Sequence, residues 1–111
     1  MSAKVDKIQS WPTPQWHPDW GDAELEMRSL KEFSLQLVAR DERFDVEINH
    51  IDVGYVRVEI FLQQRRCAEL WYTDAYLLYH FDSDGQEEKE MHFADVNEGV
   101  QLLIATFPAI Q

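Results

Sequence analysis

The chain has 111 residues, of which 45% are hydrophobic, enough to fill one compact core without help from a disulfide or a metal. Twenty-one acidic residues against ten Lys and Arg give a net charge of −11, the wrong sign for direct binding to nucleic acid or an anionic membrane. The lone Cys67 cannot form an internal bridge, the first residues lack the apolar stretch of a signal peptide, and no apolar run approaches the roughly 20 residues of a membrane span. The expectation is a cytoplasmic protein.

Residues 1–21 hold three of the four prolines, Pro12, Pro14 and Pro18. Proline fixes its own φ and pushes the preceding residue towards extended geometry, so this segment is predicted to be an extended arm rather than a helix. It also carries Trp11, Trp16 and Trp20. Each indole offers roughly 150–250 Å² to bury. The three either strap across the chain's own fold or anchor a partner, where tryptophan is enriched among energetic hot spots.

The remainder, 22–111, reads as a single α+β domain. Leu25, Met27, Leu30, Phe33, Leu37 and Val38 fall mostly at three- and four-residue spacings, which predicts a helix over 22–41 with Gly21 or Asp22 as its cap. The period then shortens to two. Phe44, Val46 and Ile48 alternate with polar residues, then Val56, Val58, Ile60 and Leu62 do the same after a turn at Asp52 to Gly54.

Gln63 to Arg66 form a polar break before a third strand, Cys67 to Tyr72, and a fourth, Tyr76 to Phe81, is apolar or aromatic on both sides. Asp82-Ser83-Asp84-Gly85 is the strongest turn signal. A three-residue loop there would set Leu77 opposite Met91 and His80 opposite Glu88. A two-residue loop would set Leu78 opposite Met91 and His80 opposite Lys89.

A fifth strand at about 89–93 precedes a second helix. Asp95 and Glu98 form a capping box, Val96, Val100, Leu103, Ile104 and Phe107 make its apolar stripe, and Pro108 stops it. Gly99 inside this helix implies either close packing against the sheet or tolerance of a weak position. The predicted fold is therefore a two-layer α+β sandwich: helix, five-stranded antiparallel meander, C-terminal helix, with both helices on one sheet face.

If Val56 to Leu62 point at the helices, then Tyr55, Arg57, Glu59 and Phe61 point away, joined by Asp45, Glu47 and Asn49, by Glu69 and Trp71, and by one side of the fourth strand such as Tyr79. This mixed aromatic and acidic face can be covered by the tryptophan arm, by a second copy of the chain, or by a different partner. Acids also cluster along the last hairpin, where Glu87, Glu88 and Glu90 mark its edge.

Chemical signatures are weak. The four histidines, His17, His50, His80 and His92, lack metal-ligand spacing, and only His80 and His92 are candidates to meet across adjacent strands. Cys67 has no base beside it, and the four glycines are scattered, so no phosphate loop is formed.

The expectation is a non-enzymatic interaction domain of the inhibitor, immunity-type, chaperone or adaptor kind, with no cofactor and no metal. Its partner is another, basic protein, with a homodimer as a further possibility. The partner-binding candidates are Trp11, Trp16, Trp20, Tyr55, Phe61, Trp71, Tyr79, Glu87, Glu88 and Glu90. The competing expectation is a small-molecule or enzymatic domain with an aromatic and histidine-lined pocket between sheet and helices.

Overall fold

A computed structural model describes residues 3–11, 23–52, 55–72, 75–81 and 87–107, without the side chains at 23, 24, 50–52, 55, 87 and 88. The order is α1 (Ala3–Gln9), α2 (Ala23–Arg40), β1 (Phe44–Asp52), β2 (Tyr55–Leu62), β3 (Arg65–Tyr72), β4 (Tyr76–Phe81), β5 (Glu87–Phe93) and α3 (Val96–Thr106). The strands form one antiparallel sheet in sequence order, β1-β2-β3-β4-β5. This is the predicted α+β meander, with α2 and α3 on one face.

The two-residue alternation dictates which side chains reach that face. Phe44, Val46, Val56, Val58, Ile60, Ala68, Leu70, Tyr76, Leu78 and Phe93 are buried in one core with Met27, Leu30, Phe33, Leu37 and Val38 of α2 and Val100 and Leu103 of α3. Leu25 leaves the α2 stripe and is exposed. Beneath α2, Phe33, Tyr76 and Phe93 form an aromatic cluster with ring centroids 5.3–5.8 Å apart. Tyr76 satisfies its hydroxyl by donating to the Ser29 carbonyl at 2.9 Å.

Helix α1 corrects the expectation of an extended arm over residues 3–9. Proline acts on itself and its immediate predecessor, and the first proline is Pro12, so nothing local opposes a helix before it. Lys4 anchors α1 to the start of β1, its Nζ donating to the carbonyls of Glu42 at 2.7 Å and Phe44 at 2.8 Å. Ile8 and Trp11 enter the core from this helix and its end. The Asp52 to Gly54 and Asp82 to Gly85 turns and the Gly21/Asp22 cap fall at least in part outside the described residues.

Hairpin β2–β3 is tighter than the four-residue break predicted. Leu62 pairs with Arg65, leaving only Gln63 and Gln64 to turn the chain, with φ of 54° and 66°. Two positive φ values match the right-handed twist of a hairpin, but asparagine and glycine are the residues that tolerate them. Glutamine in this region costs roughly 1–2 kcal/mol per residue. Replacing Gln63 by Asn and Gln64 by Gly together should therefore raise the unfolding free energy by about 1–2 kcal/mol in a denaturant titration, and a loss would contradict the turn geometry.

The β4–β5 pairing combines both predicted registers. Leu78 lies opposite Met91 and His80 opposite Lys89, as for a two-residue loop, whereas Phe81 lies opposite Glu87, the register of a three-residue loop. A bulge between His80 and Phe81 converts one into the other. In α3, Asp95 is the N-cap and its carboxylate accepts from the Glu98 amide at 3.0 Å. Gly99 is buried directly beneath Phe93, so close packing against the sheet is its role.

Candidate functional site

The outer face of the sheet is built by the side chains that the alternation turns away from the helices. One row crosses all five strands, Glu47 opposite Glu59, Glu59 opposite Glu69, Glu69 opposite Tyr79, and Tyr79 opposite Glu90. Neighbouring strands are about 4.8 Å apart, so facing carboxylates would repel unless compensated. The chain supplies the compensation from the flanking rows.

Glu69 is only 8% exposed although it points away from the core. Its Oε1 accepts from Arg57 Nη1 at 2.7 Å and from Trp71 Nε1 at 2.9 Å. Glu59 accepts from Asn49 Nδ2 at 2.8 Å and from Arg66 Nη1 at 3.2 Å. The Arg66 guanidinium also lies 4.7 Å from the centre of the Phe81 ring and covers it.

The middle of the row is thus internally neutralised, and the exposed carboxylates stand at its ends. Asp45 and Glu47 are exposed on β1, and Glu90 is exposed on β5. Glu47 meets Lys7 at 3.6 Å with both side chains more than half exposed, an ion pair worth little in water. The Glu90 carboxylate accepts from the His92 ring at 2.7 Å. Between the two ends lie the half-buried Phe61, Trp71, Leu77 and Tyr79.

Of the predicted partner-binding residues, the structure brings Phe61, Trp71, Tyr79 and Glu90 together on this face. Trp11 is not among them: it is 5% exposed and belongs to the core cluster. Its large apolar surface is buried within the chain's own core. Trp16 and Trp20 and the side chains of Tyr55, Glu87 and Glu88 lie outside the described residues.

His80 and His92 are not brought together. His80 is buried on the inner face with its ring edge-on to Phe107 at 6.1 Å, whereas His92 sits opposite Leu77 on the outer face. Strand alternation separates them. Among the described residues no group of three or more His, Cys, Asp or Glu side chains could hold a metal ion. No helix there is long and apolar enough to cross a membrane.

Cys67 is the extra residue of a bulge, since Ile60 pairs with Ala68 and Phe61 with Arg66. The bulge lets Cys67 join Ala68 in the core, and burial pushes its thiol up to about 12. The thiolate is the nucleophile, so native Cys67 should resist alkylation from pH 7 to pH 9 and react only as fast as the chain unfolds. Rapid labelling of folded protein at pH 8 would contradict this burial.

A second concave feature lies on the other side of the sheet. A cleft of about 360 Å³ opens between Ser29, Glu32 and Gln36 of α2, the ends of β3 and β4 at Tyr72 and Tyr76, and the start of α3 at Asp95 and Asn97. Arg40 donates to two of the lining side chains, Gln36 at 3.1 Å and Asn97. The tyrosines fit the aromatic pocket predicted between sheet and helices, but among the described residues neither tryptophan nor histidine lines it. The sequence suggests a pocket between sheet and helices but not which residues line it, because its walls come from three separated segments.

Just beyond α2, Asp41 grips Arg43 with contacts of 2.6–3.1 Å, and Arg43 Nη2 donates to the Phe107 carbonyl at 2.7 Å. The hydrogen bonds from Arg43 hold the Asp41 carboxyl below its ordinary range. These contacts tie the α2–β1 connection to the end of α3 and are structural. No family model, curated protein or solved structure matches the chain.

Proposed function

We propose that the chain is a small protein-interaction domain, without catalytic chemistry of its own, whose outer sheet face takes a basic partner protein. The observation that carries this reading is the layout of that face. Half-buried Phe61, Trp71, Leu77 and Tyr79 lie between exposed carboxylates at both sheet edges, Asp45 and Glu47 on one side and Glu90 on the other. Apolar surface supplies affinity, and edge charges supply orientation and speed of encounter.

The net charge of −11 favours a basic protein over a nucleic acid or an anionic lipid surface. Inhibitor, immunity-type, chaperone and adaptor proteins all work in this way, and a homodimer through the same face is the variant that solution mass distinguishes. A cytoplasmic setting belongs to the proposal, in keeping with a lone buried thiol at Cys67. A small-molecule site is the second reading, favoured by the cleft between α2 and α3.

Affinity capture from the native host at low and high salt tests the first reading, with the mass of the free protein measured in parallel. A single stoichiometric basic partner, released at high salt, is the expected result. A clean monomer that captures nothing would overturn it and leave the cleft as the functional feature.

A further inference from the structure

The cleft between α2 and α3 has a chemistry of its own. Its volume of about 360 Å³ lies at the small end of the range for ligand sites, suited to a group the size of a side chain rather than to a large cofactor. Ser29, Glu32 and Gln36 lie on one stripe of α2, spanning about 10 Å of helix along the wall. None of the described lining residues is basic, and two of them, Glu32 and Asp95, carry carboxylates.

Burial first and the Glu32 charge second push the Tyr76 hydroxyl up to about 12. The Asp95 carboxylate accepts one amide hydrogen through Oδ2, which uses a fraction of its acceptor capacity. Half-buried Tyr72, edge-to-face with Tyr76 at 4.9 Å, adds π surface. The chain itself already places a guanidinium against two of the lining residues, where Arg40 donates to the side-chain oxygens of Gln36 and Asn97.

From these observations we propose that the cleft binds an alkylguanidinium group, presented by an arginine side chain of a polypeptide or by a free guanidine. A planar guanidinium has five N–H donors and no acceptor, which matches two carboxylates and further side-chain oxygens beside tyrosine rings. The charge-assisted bonds go to Glu32 and Asp95, and the flat face packs on Tyr72. An alkyl urea of the same shape has no charge to satisfy those carboxylates and does not bind. This site lies on the helical side of the sheet, so its failure would leave the outer-face reading untouched, and the converse holds.

The test is an amide-resolved NMR titration of the full chain with agmatine, with acetyl-Gly-Arg-Gly-amide and with N-butylurea, at about 0.15 M salt to screen diffuse attraction to the acidic surface. Saturable shifts confined to Tyr72 and 94–97 and to the facing turn of α2, for agmatine or the arginine peptide but not for the urea, are expected. Binding of the peptide alone identifies a side chain as the source, and equal binding of agmatine identifies a free guanidine. The double variant Glu32→Gln, Asp95→Asn should weaken binding at least tenfold, or about 1.4 kcal/mol. Asparagine is as good an N-cap as aspartate, so α3 stays intact, and an unchanged denaturation midpoint verifies this. Shifts that never saturate, that scatter over the outer-face acids, or that persist unchanged in the double variant would overturn the proposal.

Discussion

Replacing Gly99 with alanine is expected to lower the unfolding free energy by about 1–2 kcal/mol, although alanine is the better helix former by roughly 1 kcal/mol. A Cβ at position 99 would fall within the Phe93 ring, against Cε2, Cζ and Cδ2. The ring cannot simply move aside. It is stacked on Tyr76 at 5.3 Å and packed on Phe33 at 5.7 Å, and Tyr76 is tied by its hydroxyl to Ser29 on α2.

Close-packed interiors transmit such an insertion as strain, so α3 must lift from β5 or Phe93 must leave its rotamer. A denaturant titration of Gly99→Ala measures the loss, and the pair Gly99→Ala with Phe93→Leu should recover part of it by removing the obstructing ring. Stabilisation by the single variant would mean that helix propensity outweighs the clash and that α3 is not held against β5.

The second large effect is expected at Glu69. Truncation to alanine leaves the Arg57 guanidinium, whose side chain is 23% exposed, without its carboxylate, and the Trp71 indole N–H without its acceptor. Breaking a fully buried pair from one side costs about 3–5 kcal/mol, and partial exposure here reduces the expected loss to roughly 2–3 kcal/mol. Arg57 Nε is already buried without a hydrogen-bond partner among the described residues, so the guanidinium has little to fall back on.

Glu69→Leu combined with Arg57→Met removes both charges and should be less damaging than Glu69→Ala alone. A double-mutant cycle measures the coupling. A loss below about 0.5 kcal/mol for Glu69→Ala would indicate that the network is solvated and that the outer face is looser than described. The network matters for function because it holds Trp71 in place and removes the middle of the acidic row from the charge seen by a partner.

Much of the layout was legible because the two periods are clean. Phe44-Val46 and Val56-Val58-Ile60-Leu62 could bury only one face of a strand, and Met27-Leu30-Phe33-Leu37 only one stripe of a helix. Helix α1 was not legible: seven residues with Val5 and Ile8 as their main apolar positions give little period to read, and the prolines that follow suggested extended chain. The turn at Gln63-Gln64 escaped because glutamine carries no preference for positive φ.

The outer-face site was legible in membership but not in charge. Alternation alone puts Glu47, Glu59, Glu69 and Tyr79 outside, yet which arginine neutralises which carboxylate depends on cross-strand register and on the bulges in β2–β3 and β4–β5. A face expected to mix aromatic rings with carboxylates is neutral and aromatic in its middle and acidic at its edges. The cleft at Tyr72 and Tyr76 depends on how α3 returns beside α2, which no local pattern specifies.

The edge carboxylates give the most direct test of the proposed function. The measurement is the association rate of the captured partner with wild-type chain and with Glu47→Lys, Glu90→Lys, at about 0.02 M and about 0.2 M salt. Both side chains are exposed, so the substitutions should leave the fold and the denaturation midpoint unchanged. The expected result is a wild-type rate that falls about tenfold with added salt, and a variant that is about tenfold slower at low salt and insensitive to it. Equal rates for the two proteins, with equal salt dependence, would contradict binding at the outer sheet face.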